Sequence, residues 1–167
     1  MEGKTHAHTL ISTSVKICLD STCKNIDPTL YRSMIGSLLY ITASRPDIAF
    51  SVGVCARFQA NPKESHLTTV KRILKYLSAT VDYGMWYSKD SNLSLDSYSD
   101  ANWAGNVDDR KSTTGGCFYV GSNLVAWMSK KKNSISLSTT EVEYIAAGNC
   151  CTKPLWMKKM LEDYGFS

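Results

Sequence analysis

Apolar residues recur along this chain with two different periods, and the change from one to the other divides it. Between positions 28 and 80 the spacing is helical. Leu30, Met34, Ile35 and Leu38 make one stripe, and Ile48, Ala49, Val52, Cys55 and Ala56 a second. Leu67, Val70, Ile73, Leu74 and Leu77 make the third, with Lys71, Arg72 and Lys75 mostly on its polar side. A proline introduces each stripe, in Asp27-Pro28, Arg45-Pro46 and Asn61-Pro62. Its missing N–H costs nothing in a first helical turn, and Asp27 and Asn61 can cap the amides that follow. Three short helices with apolar faces predict a small bundle.

Beyond Asp82 the period shortens to two. Leu93 and Leu95 alternate with Asp96, Tyr98 and Asp100. Two further runs, Cys117 to Val120 and Leu124 to Met128, flank Gly121-Ser122-Asn123, a hairpin signal. Ser138 and Glu141 have the S-x-x-E spacing of a capping box, which opens a helix predicted to reach about Cys151. Pro154 is expected to interrupt or kink it before a last amphipathic piece that stops at Tyr164-Gly165. Residues 1–26 show no clear period and read as an irregular lead-in. The order predicts an α+β chain: a mostly helical domain over residues 1–90, then three antiparallel strands and a helix over 91–167, the front half of a mixed α/β fold.

Composition narrows the class. The 167 residues, 43% hydrophobic and 20% charged, suit a soluble globular protein with one ordinary core or two small subdomains. No apolar run reaches the ~18 residues that a membrane-spanning helix needs, so no membrane partner is expected. The net charge of +4 is unevenly placed: residues 1–90 carry 11 Lys/Arg against 7 Asp/Glu, and residues 91–167 carry 8 of each. A basic half beside a carboxylate-bearing neutral half suits a polyanion held by one part and cut by the other. The six cysteines show no C-x-x-C pairing and read as reduced thiols of an intracellular protein. A zinc set of His6, His8, Cys18 and Cys23 fits no standard ligand spacing.

Two stretches carry chemistry. Y-S-D-A-N-W-A-G, Tyr98 to Gly105, puts Asp100 at the end of a strand, and S-T-T-E-V-E-Y-I-A-A, Ser138 to Ala147, puts Glu143 in the first turns of a helix. Mg²⁺ is bound through few carboxylates and several waters, but those carboxylates must converge from different elements. Glu141 competes with Glu143. Successive helical residues turn by ~100°, so the two face nearly opposite ways; the capping box occupies Glu141 and leaves Glu143 for metal. Glu162 and Asp163 lie on the last helical piece rather than on an adjacent strand and are poor substitutes. Candidate phosphate contacts are Lys71, Arg72 and Lys75, then Arg110 and Lys111, then Lys130, Lys131 and Lys132, each of which also suits a solvated face. Trp103, Trp127 and Trp156 can stack on bases, though packing in a core is the more ordinary use.

Four segments together resemble one family. L-Y-R-S-M-I-G-S-L-L-Y-I-T-A-S-R-P-D-I-A-F (Leu30–Phe50), N-P-K-E-S-H-L-T-T-V-K-R-I-L-K-Y-L (Asn61–Leu77), R-K-S-T-T-G-G (Arg110–Gly116) and S-T-T-E-V-E-Y-I-A-A are similar, in this order, to copia-type LTR-retrotransposon Pol polyproteins. The resemblance covers about Ile11 to Gly165. It implies that residues 1–90 are a reverse transcriptase tail, thumb and connection. Residues 91–167 would then be an incomplete RNase H-like α/β unit. The implied activities are RNA-directed DNA synthesis and RNase H hydrolysis of RNA in RNA/DNA hybrids. Asp100 and Glu143 would be catalytic Mg²⁺ ligands, and Lys71, Arg72, Lys75, Arg110 and Lys111 contacts to nucleic acid. The implied partners are the hybrid and the rest of the polyprotein, in a cytoplasmic virus-like particle or the nucleus.

Departures temper the activity expected. No Y-x-D-D hairpin precedes Asp27. Asn106-Val107-Asp108-Asp109 lacks the tyrosine and follows the first RNase H strand, so Asp108 and Asp109 read as loop carboxylates. Asn102 stands where the family usually has a second Asp, and Pro154 where a helix former is usual. The family's third carboxylate, in a D-N motif, and its fourth would fall beyond Ser167. The expectation is a truncated, catalytically impaired chain. The alternatives are a non-catalytic nucleic-acid-binding module or relic, and an active nuclease whose carboxylates are completed by a partner chain or an unusual residue.

Overall fold

The computed structural model describes residues 9–11 and 17–166. The chain forms two compact units, Met1–Gly84 and Met85–Ser167. The described residues make an α+β arrangement with helices ahead of the sheet. These are α1 (Pro28–Ile41), a 3₁₀ turn (Pro46–Ile48), α2 (Ala49–Ala56), α3 (Glu64–Ala79), β1 (Leu95–Asn102), β2 (Thr113–Val120), β3 (Asn123–Lys131) and α4 (Thr139–Asp163). His6 and His8 lie outside the described residues, and Cys18 and Cys23 are free thiols.

In the first unit α1 opens as its sequence predicts, with Pro28 in the first turn and Asp27 Oδ1 accepting from the Thr29 amide at 2.9 Å. Its buried face differs from the expected stripe. Tyr31, Ile35 and Leu38 are buried, while Leu30 is 53% exposed. The periodicity missed Tyr31 because a hydroxyl reads as polar. In the fold the ring fills the core, and the O–H donates to the Cys55 carbonyl at 2.9 Å. Burial pushes the Tyr31 phenol well above its usual range and the Cys55 thiol up to about 12. Ile48, Val52 and Cys55 complete the core with Val70 and Ile73 of α3; Leu74, expected inside, is exposed.

Asn61 does not cap α3. The helix begins at Glu64, after Lys63, because this stretch is first tied to the lead-in. Asn25 bridges to Lys63, Ile26 N–H donates to the Pro62 carbonyl (3.2 Å), and Glu64 N–H donates to the Lys24 carbonyl (3.0 Å). His66 supplies the cap from inside the helix, its Nδ1 accepting from the Lys63 amide at 3.0 Å. Nε2 must then carry the hydrogen, and it donates to the Cys18 carbonyl at 2.9 Å. At the other end of α3, Arg45 binds Asp47 (2.9 and 2.7 Å) and both oxygens of Thr80 (3.0 and 2.7 Å), while Tyr76 O–H donates to Asp47 (3.0 Å). The S-R-P-D stretch is thus a clamp between the start of the 3₁₀ turn and the end of α3.

The second unit is an antiparallel sheet in the order β1-β2-β3, with α4 packed against β1. β1 and β2 pair from Leu95↔Val120 to Asn102↔Thr113. The β2–β3 hairpin turns at Gly121, whose φ of +57° favours glycine. At the start of α4, Ser138 Oγ accepts from the Glu141 amide at 3.1 Å, and Glu141 Oε2 reaches back to the Leu137 amide at 2.7 Å. Contrary to the expected break, α4 runs unbroken through Pro154. Proline removes one intrahelical bond, at about 3 kcal/mol in a free helix. Here Val142, Ala146 and Cys150 are buried ahead of it. Behind it Gly165 (φ +80°) closes the helix: its N–H donates to the Glu162 carbonyl and that of Phe166 to the Leu161 carbonyl, both at 2.9 Å. Trp156, expected in a core, is 59% exposed. It lies six residues past Cys150, about 240° round the helix and off the buried stripe.

Candidate functional site

Cys150 fixes how α4 lies along β1, since its thiol donates to the Tyr98 carbonyl at 3.7 Å. The start of α4 lies near the end of β1, where Trp103 Nε1 donates to the Ser136 carbonyl at 3.1 Å. The two elements are therefore antiparallel. Seven residues of helix from Cys150 back to Glu143 cover about 10 Å, as do about three residues of strand beyond Tyr98. Glu143 is thus level with Ala101, next to Asp100. Both carboxylates are exposed, and neither has an ion pair or hydrogen bond among the described residues.

Alternation along β1 sets their directions. Ser97 pairs with Phe118, whose ring lies 5.8 Å from Lys153 Nζ of α4, so Ser97, Ser99 and Ala101 share the helix-covered face. Asp100 alternates to the face of Tyr98, whose ring meets Tyr119 edge-on at 5.9 Å. Glu143 sits one residue past Val142, at the flank of the buried stripe. Glu162 and Asp163 are about 30 Å further along α4. Among the described residues no group of three His, Cys, Asp or Glu gathers around a common point. Asn102 is exposed, and a Cβ at Gly105 would overlap its side chain.

Asp108 and Asp109 lie in the β1–β2 loop. Asp109 pairs with Lys131 at 2.6 Å and Lys111 at 4.0 Å. Burial works against its charge, but the two ammonium groups hold the carboxyl below its usual range. Of the expected nucleic-acid contacts, Lys71, Lys75 and Arg110 are exposed. Arg72 is half-buried, its guanidinium donating to the Thr9 carbonyl (2.7 Å) and hydroxyl. Trp103 is 42% exposed and fully engaged through its N–H, a role that neither base stacking nor core packing describes. Its only sequence signal is its place directly after the Asp100 strand.

The chain is thus a helical unit followed by a sheet-and-helix unit, with one carboxylate on each of two packed elements, β1 and α4. The chain belongs to the retrovirus-related Pol polyproteins of copia-type transposons. It is 41% identical over 157 residues, 94% of the chain, to the retrovirus-related Pol polyprotein from transposon RE1 of Arabidopsis thaliana. It is also 41% identical over 136 residues, 81% of the chain, to that from transposon TNT 1-94 of Nicotiana tabacum. It spans only 11% and 10% of the length of these two relatives. A third relative, secreted RxLR effector protein 161 of Plasmopara viticola, is 38% identical over 128 residues, covering 76% of this chain and 90% of that protein. No family model matches the chain, and no solved structure does. No helix among the described residues is long and apolar enough to cross a membrane.

Proposed function

We propose that this chain is the part of a Pol polyprotein where the tail of a reverse transcriptase meets the opening of an RNase H domain, acting on RNA/DNA hybrids inside the cell, in a cytoplasmic virus-like particle or the nucleus. The observation that supports this reading best is the level placement of Asp100 on β1 and Glu143 on α4. Two free carboxylates offer oxygen donors of the kind that suits hydrated Mg²⁺. They fall short of the carboxylate set that a two-ion centre needs, and no third acidic group joins them among the described residues. When bound, such ions activate water and stabilise the leaving oxygen. In this reading Asp100 and Glu143 each supply one carboxylate to the centre, from the two sides of the open edge of β1, and the rest of the polyprotein completes the set. Lys71, Lys75 and Arg110 hold phosphates.

The test is Mn²⁺ titration of the whole chain, read by paramagnetic broadening of backbone amide signals. Broadening should centre on Asp100 and Glu143 and vanish in Asp100→Asn. Broadening centred elsewhere overturns the assignment. With Mg²⁺, cleavage of an RNA/DNA hybrid by this chain alone should stay at background. Robust cutting that disappears in Glu143→Gln would show a complete centre instead. The second reading, a nucleic-acid-binding module without catalysis, is favoured by the exposed cations of α3 and the β1–β2 loop.

A further inference from the structure

We infer that Trp103 is a positioning residue: by tying the end of β1 to the start of α4 it sets the spacing of Asp100 and Glu143. The inference rests on the metal-ligand reading of those two carboxylates. Three hydrogen bonds make the tie. Trp103 stands directly after β1, three residues beyond Asp100, and its indole N–H donates to the carbonyl of Ser136, two residues before the α4 cap at Ser138. Ala104 has φ +49°, a left-handed turn that redirects the chain straight after the tryptophan, and its N–H donates to Ser112 Oγ at 3.1 Å. The Ser112 carbonyl in turn accepts from the Lys132 amide at 2.8 Å, just past the end of β3. Ser112 and Ser136 are both buried.

The ends of β1, β2 and β3 and the entry to α4 are therefore pinned at one point, and the Trp103 bond reaches the segment that leads into the helix. Further down, β1 and α4 touch through small or soft groups, among them the Cys150 thiol at 3.7 Å from the Tyr98 carbonyl. That contact sets the helix beside Tyr98, in the middle of β1. The indole bond is a second tie, at the end where both carboxylates stand.

Trp103→Phe keeps an aromatic ring and removes the donor together with the five-membered part of the indole. In that variant, amide hydrogen exchange at Glu141, Val142 and Glu143 should quicken about five-fold, the effect of one lost hydrogen bond of ordinary net strength. Exchange at Tyr119 and Val120, at the opposite end of the sheet, should hold. Mn²⁺ affinity should fall at least five-fold, with broadening retained at one carboxylate and lost at the other. Phe118→Leu, which lowers the melting temperature without touching the tie, should leave Mn²⁺ affinity within two-fold. Unchanged exchange in α4 overturns the tie. Faster exchange with unchanged Mn²⁺ affinity reduces Trp103 to a structural contact and overturns the positioning role. A wild-type chain that takes no Mn²⁺ at Asp100 and Glu143 defeats the ligand reading, and the positioning role with it, before any variant is made.

Discussion

Salt dependence of hybrid binding discriminates sharply, because the geometry separates free cations from engaged ones. The family resemblance implies five nucleic-acid contacts: Lys71, Arg72, Lys75, Arg110 and Lys111. Arg72 is held by Thr9, and Lys111 lies 4.0 Å from Asp109. At most three of these five remain to displace counterions, and the slope is worked for them alone. With a slope of about −0.9 per neutralised phosphate, log affinity should fall against log salt no more steeply than about −2.7. Raising salt from 50 to 200 mM should then weaken binding about 40-fold, against about 500-fold were all five engaged. Fluorescence anisotropy of a labelled RNA/DNA hybrid, titrated at four or more salt concentrations, measures the slope. Lys71→Ala should flatten it by about one, whereas Arg72→Ala should leave it in place. A slope near −4.5, or an Arg72→Ala effect as large as that of Lys71→Ala, would refute this division of the charges. A flat response would remove phosphate contact altogether.

Other outcomes follow from single contacts. Tyr31→Phe removes one buried bond while the Cys55 carbonyl keeps the Phe58 amide (3.2 Å), so urea unfolding followed by circular dichroism should show a loss of about 1 kcal/mol. Gly121→Ala should cost more than about 1 kcal/mol, since φ is +57° and the added methyl meets the Asn92 carbonyl and the Ser91 hydroxyl; a neutral result would discredit the hairpin geometry. The Asp47 carboxyl is held below its usual range by the Arg45 guanidinium, against burial. Its pairing therefore stabilises fully above the unfolded carboxylate pKa of about 3.9 and fades as pH falls through the lower folded value. Melting temperature against pH should show a shallower acid decline in Asp47→Asn, with a neutral-pH loss of no more than about 1 kcal/mol for this part-exposed pair.

The periods of the chain made the element types legible: helices where the spacing was three to four, strands where it was two. What stayed hidden depended on partners distant in sequence. Tyr31 looked polar until the Cys55 carbonyl appeared beside it. Asn61 looked like a cap until Lys63 proved to be bridged to Asn25. Pro154 looked like a break, yet buried residues ahead of it and the closed turn at Gly165 hold the helix on both sides. At the site, local motifs single out Asp100 and Glu143, but their common level depends on Cys150 meeting Tyr98, 52 residues away. Arg72 shows the same limit from the other side, since nothing near it in sequence reveals that Thr9 takes its guanidinium.

β1 forms an outer margin of the sheet, and its residues from Asp96 to Asp100 are all exposed. Bare margins invite like strands to zip together. If two copies met there head to tail about Tyr98, Asp96 of each would face Asp100 of the other. Two pairs of matching negative charges would then oppose the contact. Beside any chemical use, the two aspartates thus set like charges against edge-to-edge pairing of this strand.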